Sequence, residues 1–287
     1  MTTKVLKIAA LACSYNRIEK TKVFLKSLTT QNIPDGYSLD IHLLDDQSPD
    51  GTATFVRENY PNVDLIEGSG SLFWAGGMHM LWDRVQQQAD YDFYLLLNDD
   101  VKLFDNAIAR LIEAYRKAEH NGNILLGSVK SLDLKKITYG GRVLLNGYNG
   151  DSVMLEPDDN ELLECHLGNA NILLVDKLTV DRIGILSNRY THSFADYDYT
   201  LRAIRKGSKV WIAPGYYGSC DYDHGRPWMS SDRPLKDRIA YMKSPKGLES
   251  DSYLKYIKEF FPLNYPSAFA KLWLKTLFPF VYDRFKK

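Results

Sequence analysis

The chain has 287 residues, of which 45% are hydrophobic and 25% are charged, a composition typical of a globular protein with a sizeable core. Lysine plus arginine equals aspartate plus glutamate at 36 each, so no basic excess indicates a nucleic-acid partner. The three cysteines, Cys13, Cys165 and Cys220, lack C-x-x-C spacing, which argues against a zinc site or a disulfide framework and fits a reducing compartment.

The sequence carries no pattern of a membrane-spanning or exported segment. No window approaches the roughly 18 uninterrupted apolar residues that a spanning helix needs. The opening sequence, MTTKVLKIAALACSYNR, has an apolar run that is too short for a signal-peptide core and lacks a small-residue cleavage site. We interpret this run as a first buried strand and expect a cytoplasmic protein.

The first 123 residues alternate strand-like and helix-like patterns. In chain order they predict KIAALACS (strand), KTKVFLKSLTTQ (helix), LDIHLLDD (strand), a short helix to Tyr60, NVDLIEG (strand), MHMLWDRVQQQA (helix), DFYLLLN (strand) and NAIARLIEAYRKAEH (helix). This alternation is typical of a mostly parallel sheet that helices cover on both faces.

The pattern changes from about residue 124. ILLGSVKS, KITYGGRVLL and CHLGNANILLV predict strands without long helices between them, and DKLTVDRIG and DYDYTLRAIRKG predict short helices. KVWIA and YYGSCDYD predict late strands, and the chain after Pro234 looks helical and rich in aromatic residues. We predict one α/β domain over residues 1–234, with halves 1–123 and 124–234, followed by a helical extension over 235–287.

Polar clusters follow three of the predicted strands. SYNR at residues 14–17 follows the first strand, DD at 45–46 ends the second, and NDD at 98–100 ends the fourth. Asp and Asn are also common in turns and helix caps, so each cluster alone has an ordinary structural explanation. Ligands of open α/β sheets bind beyond the carboxyl ends of the strands, and three clusters at one edge therefore predict a site there.

The adjacent carboxylates of Asp99 and Asp100 repel each other at the mouth of a buried strand. A hard divalent cation with oxygen ligands would relieve that repulsion. Mg²⁺ commonly shares such a site with substrate phosphates, which indicates a diphosphate ligand. The metal would then neutralise charge on a departing diphosphate group.

The ordered series of motifs resembles the family 2 glycosyltransferases, inverting enzymes that use nucleotide sugars and have the GT-A fold. The resemblance spans roughly residues 7 to 226 and rests on ACSYNR, LLDDQSPDGT, LFWAGGMHMLWDRV, YLLLNDDV, GNANILLVDKLTVDRIGIL and FADYDYTLRAIRKGSKVWIAPG. It implies a Rossmann-like α/β fold with a mixed, mostly parallel sheet flanked by helices.

The same resemblance implies roles for individual residues. The nucleotide sugar, linked to UDP or dTDP, would be bound by Ser14, Tyr15, Asn16, Arg17, Asp45, Gly76, Gly77, Asn98 and Asp99. Within this set, Asp45 would accept a hydrogen bond from the base. Asp100 and His224 would bind Mg²⁺ or Mn²⁺, and Asp196 would be the catalytic base that takes the proton of the acceptor hydroxyl.

Some positions depart from the family pattern or have an ordinary structural explanation. Ala195 replaces a glutamate, and Asn98 stands where an aspartate is usual, so it either coordinates metal through its carbonyl oxygen or does not coordinate. Asp196 opens a predicted helix, where an acid also complements the helix dipole. His224 also fits a surface turn, and Trp74 fits either stacking on a sugar or core packing.

Residues 265–287 combine lysines and arginines with aromatic and aliphatic side chains. This mixture fits a helix on an anionic bilayer surface, at the inner face of the membrane, and fits equally a helix docked on the catalytic domain or on a partner subunit of a homo-oligomer. The acceptor implied by the resemblance is a glycan or a glycan linked to a polyprenyl diphosphate.

Two other functions remain open. A nucleotidyltransferase would need a glycine- and lysine/arginine-rich loop after the first strand, whereas SYNRIEKTK contains no glycine. A non-catalytic carbohydrate- or nucleotide-binding scaffold of the same fold remains compatible with Ala195. The segment SLFWAGG is similar to that of family members that use rhamnose or galactose-type donors.

Overall fold

The computed structural model of the protein describes residues 4–119, 122–221 and 232–281. The strands in these residues are β1 (Leu6–Ser14), β2 (Tyr37–Asp45), β3 (Asp64–Glu67), β4 (Phe93–Asn98), β5 (Lys102–Leu103), β6 (Asn123–Lys130), β7 (Ile137–Tyr139), β8 (Gly141–Leu144), β9 (Ser152–Met154), β10 (Leu163–Glu164), β11 (Leu167–Gly168), β12 (Ile172–Asp176) and β13 (Lys209–Ser219). The helices are α1 (Ile18–Thr29), α2 (Thr52–Asn59), α3 (Phe73–Gln88), α4 (Ala107–Lys117), α5 (Lys177–Ile183), α6 (Ala195–Arg205), α7 (Leu235–Lys243), α8 (Ser250–Phe260) and α9 (Tyr265–Leu277), with a 3₁₀ turn at Pro262–Asn264.

A central mixed sheet has the strand order β10-β13-β6-β12-β4-β1-β2-β3. In its first half, β1 pairs in parallel with β2 and β4, and β2 pairs in parallel with β3, because helical crossovers join these strands. In the second half, β12 lies antiparallel between β4 and β6. The predicted α/β class with a mixed sheet is confirmed, and its parallel part is concentrated in the first half.

Helices cover both faces of the sheet, and β1 shows how the sequence produces this arrangement. Successive side chains of a strand point to opposite faces. Leu11 and Cys13 pack in a core cluster with residues of α3 and α6, whereas Ile8 and Ala12 pack in a second cluster with residues of α1 and α4. Both sets are buried, which explains why KIAALACS is apolar at nearly every position.

The C-terminal extension packs against both ends of α6. The ring of Tyr256 on α8 stacks on Phe194 with centroids 5.3 Å apart, and the guanidinium of Arg205 lies 4.4 Å from the centroid of the Phe260 ring. On α9, Thr276 Oγ1 lies 3.3 Å from the sulfur of Met242 on α7. Helix α8 is therefore docked on the α/β domain, whereas α9 packs on α7 and α8 of the extension itself, and both interpretations of residues 265–287 stay predictions.

One face of α9 and the residues after it stay exposed. The exposed apolar side chains are Phe269, Leu274, Leu277, Phe278, Phe280 and Val281. No helix in the described part of the chain is both long and apolar enough to cross a bilayer. The rest of the basic tail, residues 282–287, lies outside the described residues.

Two neighbouring glycines of α3 are predicted to respond oppositely to alanine. A methyl group on Gly77 would collide with Cys13 Sγ of β1, whereas a methyl group on Gly76 would meet only Leu72 Cβ at 3.8 Å. We expect Gly77→Ala to lower the free energy of unfolding by about 1–3 kcal/mol through overpacking. Gly76→Ala should leave it unchanged or raise it by up to about 1 kcal/mol, because alanine favours the helix.

Urea denaturation of the two variants beside the wild type measures this difference. Equal stability of the two variants would show that α3 does not approach β1 as closely as the fold requires.

Candidate active site

A cavity of about 630 Å³ lies where β1 and β4 end, within the size range of small-ligand sites. Of the site residues expected from the sequence, Ser14, Tyr15, Arg17, Asn98, Asp99, Asp100 and Asp196 line it. Asn16, Asp45, Gly76 and Gly77 are not among its lining residues. His224 lies outside the described residues. The cavity thus brings carboxylates of both halves of the predicted domain together.

The carboxylates of Asp99 and Asp100 are each paired with a cationic side chain. Arg17 Nη1 lies 2.9 Å from Asp100 Oδ2 and 3.4 Å from Asp99 Oδ1, and Lys20 Nζ lies 3.7 Å from Asp100 Oδ2. Thr21 Oγ1 donates to Asp99 Oδ2 over 3.4 Å. Side chains at the start of α1 therefore relieve the repulsion for which the sequence suggested a divalent cation.

Burial makes Asp99 a weak acid. Its side chain is almost inaccessible, and this desolvation, partly opposed by Arg17 and reinforced by Asp100, raises the pKa of Asp99 to about 6. A carboxylate in this state gains from a further cation or from a hydroxyl donor in the cavity.

One oxygen of Asp100 and one of the neighbouring Asn98 have no hydrogen-bond partner. Asn98 Oδ1 and Asp100 Oδ1 are both buried and unpartnered within the described residues. Carboxylate and amide oxygens are ligands that suit Mg²⁺ and Mn²⁺, so the chemistry of this pair fits such an ion. No group of three or more histidine, cysteine or acidic side chains capable of holding a metal occurs in residues 4–119, 122–221 and 232–281. An ion here would need oxygens from a bound phosphate.

The two aspartates after β2 differ in their contacts. Asp45 Oδ2 accepts from the Ser48 amide over 3.1 Å, while its buried Oδ1 has no partner, and burial raises the pKa of Asp45. Asp46 accepts from the amides of Gly70 and Leu72 over 2.7 and 2.8 Å and lines the cavity. Asp46 therefore fixes the loop at 68–72 against the strand edge, a role that we did not expect from the sequence.

Asn16 and Asp50 have local structural contacts. The Asn16 amide donates to Ser48 Oγ over 2.8 Å, and Asn16 adopts the left-handed conformation with φ 52°. Asp50 Oδ2 accepts from the Ile18 amide over 2.8 Å, at the start of α1. These contacts join the turn after β1 to the turn after β2.

Asp196 and Asp198 lie two positions apart in α6 and point to different surroundings. Asp196 reaches the cavity, where its Oδ2 lies 3.4 Å from both the Ala170 amide and Asn169 Nδ2. Desolvation raises the pKa of Asp196 to about 6, against the lowering effect of these donors. A carboxylate with this pKa can accept a proton near neutral pH.

Asp198 is fully buried in an ion-pair network. Its carboxylate accepts from Arg202 Nε over 2.6 Å, and from Arg189 Nη2 and the Tyr190 hydroxyl over 3.1 Å each. Arg202 in turn donates to the carbonyls of Ile183 and Ile185. Asp198 thus ties α6 to the preceding loop and has no access to the cavity.

The structure also adds cavity residues that we did not assign from the sequence. They are Asn169 and Asn171 beside β11 and β12, His192 and Tyr197 around the start of α6, and Ser244 and Lys246 of the C-terminal extension. The two asparagines lie in the quoted GNAN motif, between β11 and β12, and its polar residues directly before the apolar run ILLV were an available signal. Trp74 lines the cavity and also packs against the core, which is compatible both with stacking on a sugar and with core packing.

Solved structures of similar fold include proteins in complex with a nucleotide or a nucleotide sugar. TarS 1–349 from S. aureus in complex with UDP aligns at a TM-score of 0.53 and 15% identity, over 75% of this chain and 60% of TarS 1–349. The mannosyltransferase PcManGT from Pyrobaculum calidifontis, in complex with GDP-Man and Mn²⁺, aligns at a TM-score of 0.54 and 14% identity, over 94% of this chain and 75% of PcManGT. At these identities the likeness shows a shared fold.

The sequence comparison is more specific than the fold. No curated protein matches the chain with significant similarity. The family described as Glycosyl transferase family 2 matches residues 10–161, just over half of the chain. The matched region contains the ends of β1, β2 and β4, whose polar side chains surround the cavity edge, and the chain therefore belongs to glycosyl transferase family 2.

Proposed function

We propose that the protein transfers a sugar from a nucleotide-diphosphate donor to a hydroxyl group of a glycan or lipid-linked glycan, with inversion at the anomeric carbon. The observation that carries this proposal is the single cavity shared by Asp196 and by the Asp99–Asp100 pair. Bound UDP in TarS and bound GDP-Man with Mn²⁺ in PcManGT, both of similar fold, support a nucleotide-sugar donor and a divalent ion.

The donor's nucleoside lies at the ends of β1 and β2 in this proposal. Asp45 Oδ1 has no partner among the described residues but is buried and does not line the cavity, so its hydrogen bond to the base stays a prediction. A UDP- or dTDP-linked donor is proposed from the sequence resemblance and from the UDP bound in TarS. Tyr15 and Arg17 line the cavity beside this edge and contact the rest of the nucleotide.

Asp196 acts as the general base. As the acceptor oxygen bonds to the anomeric carbon, the bond from that carbon to the diphosphate breaks, and the hydroxyl proton passes to Asp196. One displacement from the face opposite the leaving group inverts the anomeric configuration. The Ala170 amide and Asn169 orient the carboxylate, and its pKa of about 6 leaves it mostly ionised at neutral pH yet able to take a proton.

Asp100 and Asn98 would hold the Mg²⁺ or Mn²⁺ ion, together with phosphate oxygens of the donor. When bound, the ion offsets the negative charge that develops on the nucleoside diphosphate as it leaves. Arg17 and Lys20 balance the charges of Asp99 and Asp100 at the same place, so these carboxylates do not oppose binding of the diphosphate. His224 stays a prediction as a further ligand.

The exposed apolar face of α9 supports a membrane-linked acceptor. Phe269 and Leu277 of α9 and Phe280 just after it are exposed, and Lys271 lies in α9. Apolar side chains mixed with lysines suit an anionic bilayer surface, where an acceptor linked to a polyprenyl diphosphate would be found. We therefore propose that α9 holds the enzyme at the inner face of the membrane.

Asp196→Asn and Asp198→Asn separate a catalytic from a structural carboxylate on one helix. We expect Asp196→Asn to lower kcat by about 10²–10⁴-fold without lowering the thermal midpoint, because only the proton acceptor is lost. Asp198→Asn should lower the free energy of unfolding by about 3 kcal/mol, because Arg189 and Arg202 lose their buried partner. Transfer assays and urea denaturation measure the two effects.

The pH dependence of kcat gives a second readout of Asp196. The base must be ionised, so kcat should rise with pH through about 6 and reach a plateau near neutral pH. Because desolvation disfavours the ionised form of Asp196 in the folded state, the protonated form stabilises the fold at low pH. This stabilisation is lost as pH rises through about 6. The pKa of Asp99 also lies near 6, and donor binding measured over the same range separates the two groups. Full kcat in Asp196→Asn would remove Asp196 as the base.

Vesicle sedimentation tests the membrane surface. We expect the protein to bind phosphatidylglycerol vesicles and the double variant Phe269→Ser/Phe280→Ser to bind several-fold more weakly, because it removes two exposed anchors. Val23→Ser, which changes an exposed apolar residue of α1, is the matched control and should bind like the wild type. Binding that does not differ between the double variant and the control would count against the role of α9.

A further inference from the structure

The C-terminal extension forms part of the cavity wall. Ser244 and Lys246, in the turn between α7 and α8, line the cavity together with Tyr15 and Asp196. The region that matches the family ends at residue 161, so the match assigns no role to this turn. The turn therefore raises the question of what it contributes to the site.

A buried carboxylate anchors the turn to the loop before α6. Glu249 is 3% exposed, and its Oε1 accepts from the amides of Thr191 and His192 over 3.2 and 2.9 Å. Its Oε2 accepts from the Ser193 amide over 2.5 Å. Loop residues 192 and 193 line the cavity. The extension and the loop that leads to Asp196 are thus held as one unit.

The turn has a conformation that its own contacts define closely. The amides of Gly247 and Glu249 both donate to the Ser244 carbonyl, over 2.9 and 3.2 Å. A side chain on Gly247 would collide with the Tyr241 carbonyl, and Glu249 adopts the left-handed conformation with φ 44°. Such a costly conformation persists only where the surroundings determine it. The contacts on both sides of Lys246 therefore place its backbone at the cavity.

The Lys246 side chain reaches the turn that follows β1. Its Nζ lies 5.6 Å from the centroid of the Tyr15 ring, a cation–π distance. Arg17 and Lys246 are the Lys and Arg side chains among the described residues that line the cavity. Arg17 is paired with Asp99 and Asp100, whereas Lys246 forms no ion pair with a described carboxylate.

We propose that Lys246 binds a phosphate oxygen of the nucleotide-diphosphate donor, so that the C-terminal extension supplies part of the donor site. This inference rests on the proposed function. Arg17 and Lys20 already match the charges of the Asp99–Asp100 pair, so the negative charge of a bound diphosphate that the divalent ion does not offset needs a further cation. A lysine ammonium is a compact point charge that suits phosphate oxygens, and the Tyr15 ring keeps it on the nucleotide side of the cavity.

Isothermal titration calorimetry with Mn²⁺ tests the role of Lys246. The probes are UDP, dTDP and GDP, followed by the matching nucleoside for each diphosphate that binds. We expect Lys246→Ala to weaken diphosphate binding about tenfold or more and to leave nucleoside binding unchanged, because only the phosphate contact is lost. Lys246→Arg should stay within about threefold of the wild type, because it keeps the charge.

Lys243→Ala is the matched control, since Lys243 is an exposed lysine of α7 that does not line the cavity. This variant should bind diphosphates like the wild type. Unchanged diphosphate binding in Lys246→Ala overturns the inference while the proposed function stands. Equal loss of nucleoside and diphosphate binding also overturns it, because the substitution would then act through the shape of the turn. If the wild type binds none of the three diphosphates, the proposed function fails and the inference with it.

Discussion

The parallel pairing of β1 with its two neighbours is the constraint on which the site depends. Ser14 lies opposite Asp45 on β2, and Cys13 lies opposite Asn98 on β4, so three polar strand ends meet at one edge of the sheet. A helix between consecutive parallel strands returns the chain to the opposite edge of the sheet, so these strands all end at the same edge. Arg17, at the start of the first crossover, then reaches the carboxylates that follow β4.

A second constraint positions Asp196, the proposed base, which comes from the other half of the chain. Asp198, buried among arginine side chains, ties α6 to the loop before it, and Glu249 of the extension binds the amides of that same loop. Asp196 faces the cavity because these contacts fix the rotation and the start of its helix. Catalysis by such an arrangement relies on positioning and on charge placed before the reaction begins.

The sequence predicted the alternating elements and the strand-end clusters, because hydrophobic periodicity and polar residues directly after apolar runs are local signals. It did not predict that Arg17 pairs with Asp100, since that contact joins residues distant in the chain through the register of β1 and β4. In the sequence, Asp196 and Asp198 have the same pattern, that of acidic residues in the first turn of a predicted helix. Two positions along a helix turn the side chain by about 200°, so they must face different surroundings, but only tertiary packing decides which one is buried.

Other parts of the site had no local signal at all. Lys246 lies in a turn of ordinary composition, and its position at the cavity follows from the docking of the extension near Tyr15. Gly77 and Gly76 are equivalent in the sequence pattern, yet only Gly77 faces Cys13 of the sheet. Contacts between distant segments decide these roles, which explains why the fold was easier to predict than the site.

The most direct test of the account is a crystal structure with Mn²⁺ and UDP or dTDP bound. We predict that the diphosphate and the ion lie against Asp100 at the end of β4, with Asp196 facing the same cavity. A nucleotide bound away from the ends of β1 and β4, or an ion without contact to Asp100, would contradict the account.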